Sequence, residues 1–327
     1  MSLLSVDSLK VRFKTPEGLV EPLDGVNFKI GNGEVVGLVG ETGSGKSVTA
    51  QAILGLLPFL GGEITGGSIR FMGRELVGIP EAEWQKLRGN KISLISQNPM
   101  TSLDPVYRVG LQIVEGMRLH LGISGKEARE RAVELMTSLH IPNAERVFHQ
   151  YPHQLSGGLK QRIVIAMGLC AGPQLLVADE PTTALDVTVQ AQIVALFRET
   201  TKKRGVGLLL ITHDLGVIAQ ICDRVAVMYA GHVVEFGGVE SVFDFPRHPY
   251  TKALLHCIPA PGRVKGSLRA IPGTVPGVRS FPKGCRFHPR CMEADSGCEI
   301  EKPPAVHLGE GLSVACLRYA EGSRGES

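Results

Sequence analysis

Residues 34 to 50 read EVVGLVGETGSGKSVTA, a short apolar and β-branched run that passes into a glycine-rich turn and then into residues able to start a helix. The stretch predicts strand, loop and helix in succession. Gly40, Gly43, Gly45, Lys46 and Ser47 fit the pattern G-x-x-x-x-G-K-[ST], with Glu41, Thr42 and Ser44 inside the loop and Val48 just beyond it. Glycines let successive backbone N–H groups curl around phosphate oxygens, and the helix that follows adds its positive N-terminus. Lys46 is expected to contact the β and γ phosphates and the Ser47 hydroxyl to ligate Mg²⁺. A dinucleotide fingerprint fits less well, because its third glycine is missing and Lys-Ser occupies the exit of the turn. The expected ligand is a nucleoside triphosphate.

Two further stretches carry chemistry. In QLLVADEPTTALD, residues 174 to 186, four apolar residues run into Asp179 and Glu180. An aspartate ending a buried strand can hold the Mg²⁺ shell, and the adjacent glutamate can orient the water that attacks the γ phosphate. In LSGGLKQR, residues 155 to 162, Ser156 can cap a helix that begins with Gly157 and Gly158. Read alone this is a capped helix; beside a phosphate loop it offers a second phosphate-facing end.

Composition narrows the class. The chain has 327 residues, 43% of them apolar, which is enough for one large domain and a smaller module. Lys and Arg total 35 against 32 Asp and Glu, a balance that argues against a nucleic-acid groove or an anionic membrane surface. Aromatic residues make up only 5%, so a stacking platform for single strands is not expected. No apolar run approaches the roughly 18 residues needed to cross a bilayer, and MSLLSVDSLKVRF lacks the features of a signal peptide. A cytosolic location is expected, with any membrane association made through a partner. Seven cysteines are then not expected to form stable disulfides, and Cys170, Cys222 and Cys257 read as small buried hydrophobes.

With these motifs in hand, the chain resembles the nucleotide-binding subunits of ABC transporters over residues 1 to about 260. It carries the phosphate loop GETGSGKS, a glutamine loop around Gln97 in LISQNP, the signature LSGGLKQR, LLVADE, the TALD segment ending at Asp186, and His213 in LLLITHDL. The resemblance implies an α/β P-loop NTPase domain with a helical subdomain at about 98–170, where KEARERAVELMTSLH (126–140) reads as amphipathic. It implies that two such subunits pack head to tail, the Ser156–Gly157–Gly158 end of one facing the γ phosphate held by the other. It assigns Glu180 as general base, His213 and Gln97 as γ-phosphate and Mg²⁺ sensors, Asp186 to ATP binding, and Phe13 in LKVRF to adenine stacking. One departure is Leu159, where glutamine or methionine is usual; it follows the phosphate-contacting residues, so little loss is expected.

The C-terminal part refines the branch. RHPYTKALLHCIP at 247–259, followed by PKGCRFHPRC, resembles the extension of ATPases that serve dipeptide, oligopeptide and nickel importers. Proline and glycine cluster from 259 to 284, which predicts an irregular linker. Beyond it come Cys285, Cys291, Cys298 and Cys316, a small irregular cysteine-rich module within a C-terminal region 261–327. Their spacing lacks the short C-x2-C knuckle usual for structural zinc, and on spacing alone an iron–sulfur cluster and zinc stand about level. Resemblance to peptide-importer ATPases implies a 4Fe-4S cluster, with zinc or unligated thiols as the alternatives.

The expectation is therefore an ATP-hydrolysing subunit of a peptide-class importer, peripheral on the cytoplasmic face of the inner membrane. Its implied partners are two transmembrane permeases, a second, related but different ABC ATPase chain, and, indirectly, an extracytoplasmic solute-binding protein; nucleic acid is not among them. A soluble ABC ATPase acting on nucleic acid or ribosomes is the alternative, and an exporter ATPase is disfavoured by the tail.

Overall fold

The computed structural model describes residues 2–183, 185–257, 271–309 and 311–320. The chain forms two compact units: a central one from residues 31–35 and 78–211, and a terminal one from 2–30, 36–77 and the described residues from 212 onward.

The terminal unit opens with β1 (Ser2–Thr15), β2 (Gly18–Gly31), β3 (Val35–Val39), α1 (Lys46–Ile53), β4 (Gly62–Phe71) and β5 (Arg74–Glu75). Four of these strands make an antiparallel sheet in the order β2-β1-β4-β5. The β1–β4 register shifts between Asp7 and Val11. There Ser8 has a positive φ of 49°, and a Cβ on Gly67 would lie 2.3 Å from the Ser8 carbonyl, so the bulge requires glycine on the facing strand. All five residues of β3, VVGLV, are buried, the continuous apolar run of a strand covered on both faces.

The central unit contains α2 (Glu81–Leu87), β6 (Ile92–Ile95), α3 (Pro99–Ser102), α4 (Val109–Leu121), α5 (Gly125–Ser138), α6 (Ala144–Phe148), α7 (Gly157–Leu169), β7 (Leu175–Asp179), α8 (Val187–Arg204) and β8 (Gly207–Ile211). Strands β6, β7 and β8 pair in parallel, with Asp179 opposite Ile211 at the end of β7. Helices α3 to α7 occupy the segment expected to be helical. The amphipathic stretch forms α5, capped by Ser124, whose Oγ accepts from the Glu127 N–H at 3.2 Å, and it buries Ala128, Ala132, Leu135 and Met136 on one face. Arg162, buried on α7, donates to the Leu139 carbonyl at 2.7 Å and to Gln192 at 3.0 Å, tying α7 to the end of α5 and to α8.

The chain returns to the terminal unit with α9 (Leu215–Ile221), β9 (Arg224–Tyr229), β10 (His232–Gly238), α10 (Val239–Asp244), α11 (Pro249–His256), α12 (Ser296–Ile300), β11 (Val306–His307), β12 (Ser313–Val314) and α13 (Leu317–Ala320). β3 runs parallel to β9, β10 is antiparallel to β9, and the C-terminal hairpin of β11 and β12 adds antiparallel to β10. Of the stretch expected to be a linker, residues 259–270 lie outside the described residues, and 271–284 run as turns and bends without helix or strand. Among the described residues, no helix is long and apolar enough to cross a membrane.

Candidate nucleotide site

The phosphate loop leaves β3 at Gly40 and enters α1 after Gly45. A Cβ on Gly40 would lie 2.1 Å from the Met228 carbonyl, and one on Gly45, at φ +105°, would lie 2.7 Å from the Leu23 side chain. These two positions are therefore fixed by packing against neighbouring elements. Gly43 has open space around it but takes φ +82°, so its requirement is conformational. No side chain caps α1, which keeps the first N–H groups of the helix for an external acceptor. Lys46 is buried and folds back over the loop, its Nζ donating to the carbonyls of Gly40 at 2.8 Å and Glu41 at 3.1 Å. Ser47 is exposed in the first turn, Val48 is half-buried, and the buried Ser44 hydroxyl has no hydrogen-bond partner among the described residues. Thr42 is exposed at the tip.

Glu41 is tied down from outside the loop. Its N–H donates to the Tyr250 hydroxyl at 3.0 Å, and its two carboxylate oxygens accept from Nη1 and Nη2 of Arg290 at 3.0 and 3.1 Å. In the same unit Phe13 is half-buried, and a Cβ on Gly62 would meet its ring at 2.7 Å, so glycine there gives the ring room to lie across β4. His213 is exposed between two anchored neighbours. The Thr212 N–H donates to the Leu38 carbonyl at 3.3 Å, and the Asp214 carboxylate caps α9 by accepting from Gly216 at 2.8 Å.

In the central unit the end of β7 presents Asp179 and Glu180. Glu180 takes φ +45°, unusual for a residue with a Cβ, and its N–H donates to the Ile211 carbonyl at 2.8 Å. Its carboxylate accepts from Gln97 Nε2 at 2.9 Å and from Thr183 Oγ1 at 3.1 Å. Two of the residues singled out in the sequence, 83 positions apart, thus meet directly. Thr183 joins them without having been expected; the signal for it was a hydroxyl three residues after an acidic strand end. Ser156 caps α7, accepting from the Leu159 N–H at 3.4 Å, and is exposed with Gly157. Asp186 caps α8, accepting from Val189 at 2.9 Å. The two signature glycines differ in kind. A Cβ on Gly158 would lie 2.7 Å from Val189, whereas one on Gly157 would make only ordinary contact at 3.7 Å with Leu185.

The four C-terminal cysteines are all reduced and lie in one segment of the terminal unit. The Cys285 N–H donates to the Cys298 carbonyl at 2.9 Å, and Asp295 caps α12 through the Cys298 N–H. Burial, reinforced by the charges of the other three cysteines, pushes the Cys285 thiol up to about 11. Burial likewise raises Cys291 to about 11 and lifts Cys298 and Cys316. The four thiols thus lie within electrostatic reach of one another. They do not form the expected four-thiolate ligand set: among the described residues, no three His, Cys, Asp or Glu side chains are arranged to hold a metal ion. In this arrangement the partly buried, protonated thiols repel one another little.

A glycine loop at a helix start, an acidic strand end with a held glutamate, and a second glycine-led helix define an ATPase of the phosphate-loop, ABC type. Residues 23–183 match the ABC transporter family and residues 234–298 match the oligopeptide/dipeptide transporter C-terminal region. The chain is 46% identical over 320 residues to the oligopeptide transport ATP-binding protein AppD of Bacillus subtilis, covering 98% of both chains. It is 47% identical to OppD of Salmonella typhimurium, covering 98% of this chain and 94% of that one, and 44% identical to the dipeptide transport ATP-binding protein DppD of Escherichia coli, covering 97% and 96%. Among solved structures, the ATP-binding cassette MJ0796, a dimer in a post-hydrolysis state bound to ADP and Pi, aligns with a TM-score of 0.64 at 27% identity, covering 72% of this chain and 98% of that one. The chain belongs to the ATP-binding proteins of the ABC transporter family, in their oligopeptide and dipeptide transport branch.

Proposed function

We propose that this protein hydrolyses ATP to energise uptake of peptides through an ABC importer. The observation that carries the catalytic part is the Glu180 carboxylate held by Gln97 and Thr183 at the end of β7. The peptide cargo is supported by relatives of nearly equal length named for oligopeptide and dipeptide transport.

The chemistry is in-line attack of water on the γ phosphate. Amides of residues 41–48 cradle the phosphates, and Lys46, which now spends its charge on two loop carbonyls, exchanges them for β and γ oxygens. Glu180 orients the nucleophile, and His213 contacts the γ phosphate. The exposed Ser47 hydroxyl, the Gln97 carbonyl and Asp179 are hard oxygen donors of the kind Mg²⁺ takes, and the ion would neutralise charge on the phosphates. Phe13 offers a half-buried ring face for adenine. The room around Gly157, beside Ser156 and Gly158, suits a γ phosphate presented by a second ATPase chain, with Asp186 next to Leu185, the side chain nearest Gly157; the dimeric neighbour MJ0796 supports such pairing. The two regions of the chain are read as an ATPase domain at 1–260 and an extension at 261–327.

Two permeases in the membrane are the implied partners. Exposed Met100, Val106, Tyr107 and Leu111, just past the glutamine loop, support docking of an apolar partner on the helical segment. On this reading the chain sits peripherally at the cytoplasmic face of the membrane. For the cysteines the finer reading is a 4Fe-4S cluster, supported by four reduced thiols gathered in one segment, with zinc as the alternative. Anaerobic purification with iron and zinc analysis decides it: about four irons per chain support the cluster, and stoichiometric zinc or neither metal refutes it. For the function as a whole, ATPase activity that rises on reconstitution with permeases in membranes supports the importer reading. Activity stimulated by nucleic acid and indifferent to permeases would instead favour the soluble alternative.

A further inference from the structure

Glu41 puts a carboxylate inside a loop that has to accept a triphosphate. Left unpaired, its charge would oppose the ligand at close range, where a partly buried site screens poorly. The structure answers this with a residue from the far end of the chain. Arg290, in the segment FHPRC, has a side chain only 5% exposed and grips both Glu41 oxygens with both terminal nitrogens. The guanidinium is itself fixed: Nε donates to the Pro272 carbonyl at 2.7 Å and Nη1 also reaches the Tyr229 hydroxyl at 3.3 Å. Burial alone would weaken Arg290's hold on its proton, but the hydrogen bonds to Glu41 and Tyr229 raise its pKa above the ordinary value.

The neighbours of Arg290 are equally anchored to the loop's surroundings. The Phe287 ring packs against Tyr229, Tyr250 and His248 at centroid distances of 5.1, 5.3 and 5.8 Å. Arg286 donates to the Ala230 carbonyl and pairs with Asp24. Tyr250, which takes the Glu41 N–H, is completely buried in the same cluster. The cysteine-bearing segment is thus braced against the strand ends that carry the phosphate loop.

Resting on the ATPase reading, we propose that Arg290 is a positioning residue of the phosphate loop. By neutralising Glu41 and holding it aside, it permits tight triphosphate binding, so nucleotide affinity depends on the fold of the cysteine segment. Two consequences separate this from a merely structural role. Loss of Arg290 should penalise ATP more than ADP, because the triphosphate carries more charge. Removing the Glu41 charge at the same time should restore affinity, because nothing then needs neutralising.

The test is titration of the full-length protein with a non-hydrolysable ATP analogue and with ADP, both with Mg²⁺. Arg290→Gln should raise the Kd for the ATP analogue about tenfold and lower the preference for it over ADP, while Glu41→Gln/Arg290→Gln returns to within about twofold of wild type. Arg290→Lys, which keeps one positive charge, should hold the preference, and it serves as the informative variant if Arg290→Gln does not fold. Wild-type affinity in Arg290→Gln, a double variant as weak as the single one, or an Arg290→Lys preference as low as that of a Glu41-unpaired loop overturns the proposal. Absence of nucleotide binding by the wild type would overturn the ATPase reading itself and this inference with it. An effect absent only in the Arg290 variants sinks the inference alone.

Discussion

Glu180 is held in a left-handed backbone conformation, with φ +45°, at the end of a buried parallel strand. A residue with a Cβ accepts that position only where the surroundings determine it, and here the Ile211 carbonyl, Gln97 and Thr183 do so. The carboxylate is therefore aimed before any substrate arrives. Glu180→Gln keeps the shape and much of the hydrogen bonding while removing the basic oxygen. Steady-state hydrolysis should fall at least about 100-fold with ATP affinity within about threefold of wild type; wild-type turnover in that variant would remove Glu180 from its role. Thr183→Val tests the hold instead of the base. It should lower kcat about fivefold, with KM unchanged, since the carboxylate loses the Thr183 hydroxyl as a donor; a change confined to KM would show that Thr183 acts on binding and not on the carboxylate.

At the scale of elements, α7 shows how one glycine pair serves two ends. Gly158 is required by packing, because a methyl there would lie 2.7 Å from Val189 on α8, while Gly157 has ordinary room. Gly158→Ala should cost about 1–3 kcal/mol in denaturant unfolding as α7 and α8 are forced apart. Gly157→Ala should melt within a few degrees of wild type yet lose ATPase activity about tenfold, because the added methyl occupies space meant for a close phosphate. Equal stability losses in the two variants would contradict this division. Elements of this kind were legible in the sequence to different depths. The phosphate loop could be read directly, since phosphate chemistry demands Gly40, Gly45, Lys46 and Ser47 at fixed local spacing. The helices of 98–170 followed from periodicity, and Ser156 from capping chemistry. Glu180 was legible from its strand end and Gln97 through resemblance to a family, but their direct meeting was not, because two polar residues 83 positions apart leave no local pattern. The pairing of Glu41 with Arg290, 249 positions apart, left no trace at all. For the cysteines, the spacing announced a group, but coordination depends on how the side chains are arranged in space, and spacing does not carry that.

Across the molecule, the terminal unit is assembled from sequence-distant pieces, and its stability turns on groups buried where they meet. His248 is 1% exposed, and its Nδ1 accepts the Tyr250 N–H at 3.0 Å, capping α11 with a lone pair that protonation would remove. Burial, with a smaller push from Lys252, lowers its pKa from 6.5 to about 3. His232, half-buried beside Arg286 and Lys302, is likewise lowered to about 3, chiefly by desolvation of the ring. In the unfolded chain both rings take up protons below pH 6.5, whereas in the folded protein they remain neutral until far lower pH. Between those limits the unfolded state binds more protons, so stability is full above pH 6.5 and is lost progressively on acidification. His248→Asn keeps a capping acceptor and removes the titration. Between pH 6 and pH 5, above the range where carboxylates dominate, its unfolding free energy should fall less steeply than that of wild type, by up to one proton's worth, about 1.4 kcal/mol per pH unit. Denaturant melts of both proteins at the two pH values measure the difference directly. Parallel slopes would mean that His248 titrates in the folded state, and that the aromatic cluster holding Tyr250 against Glu41 is open to water.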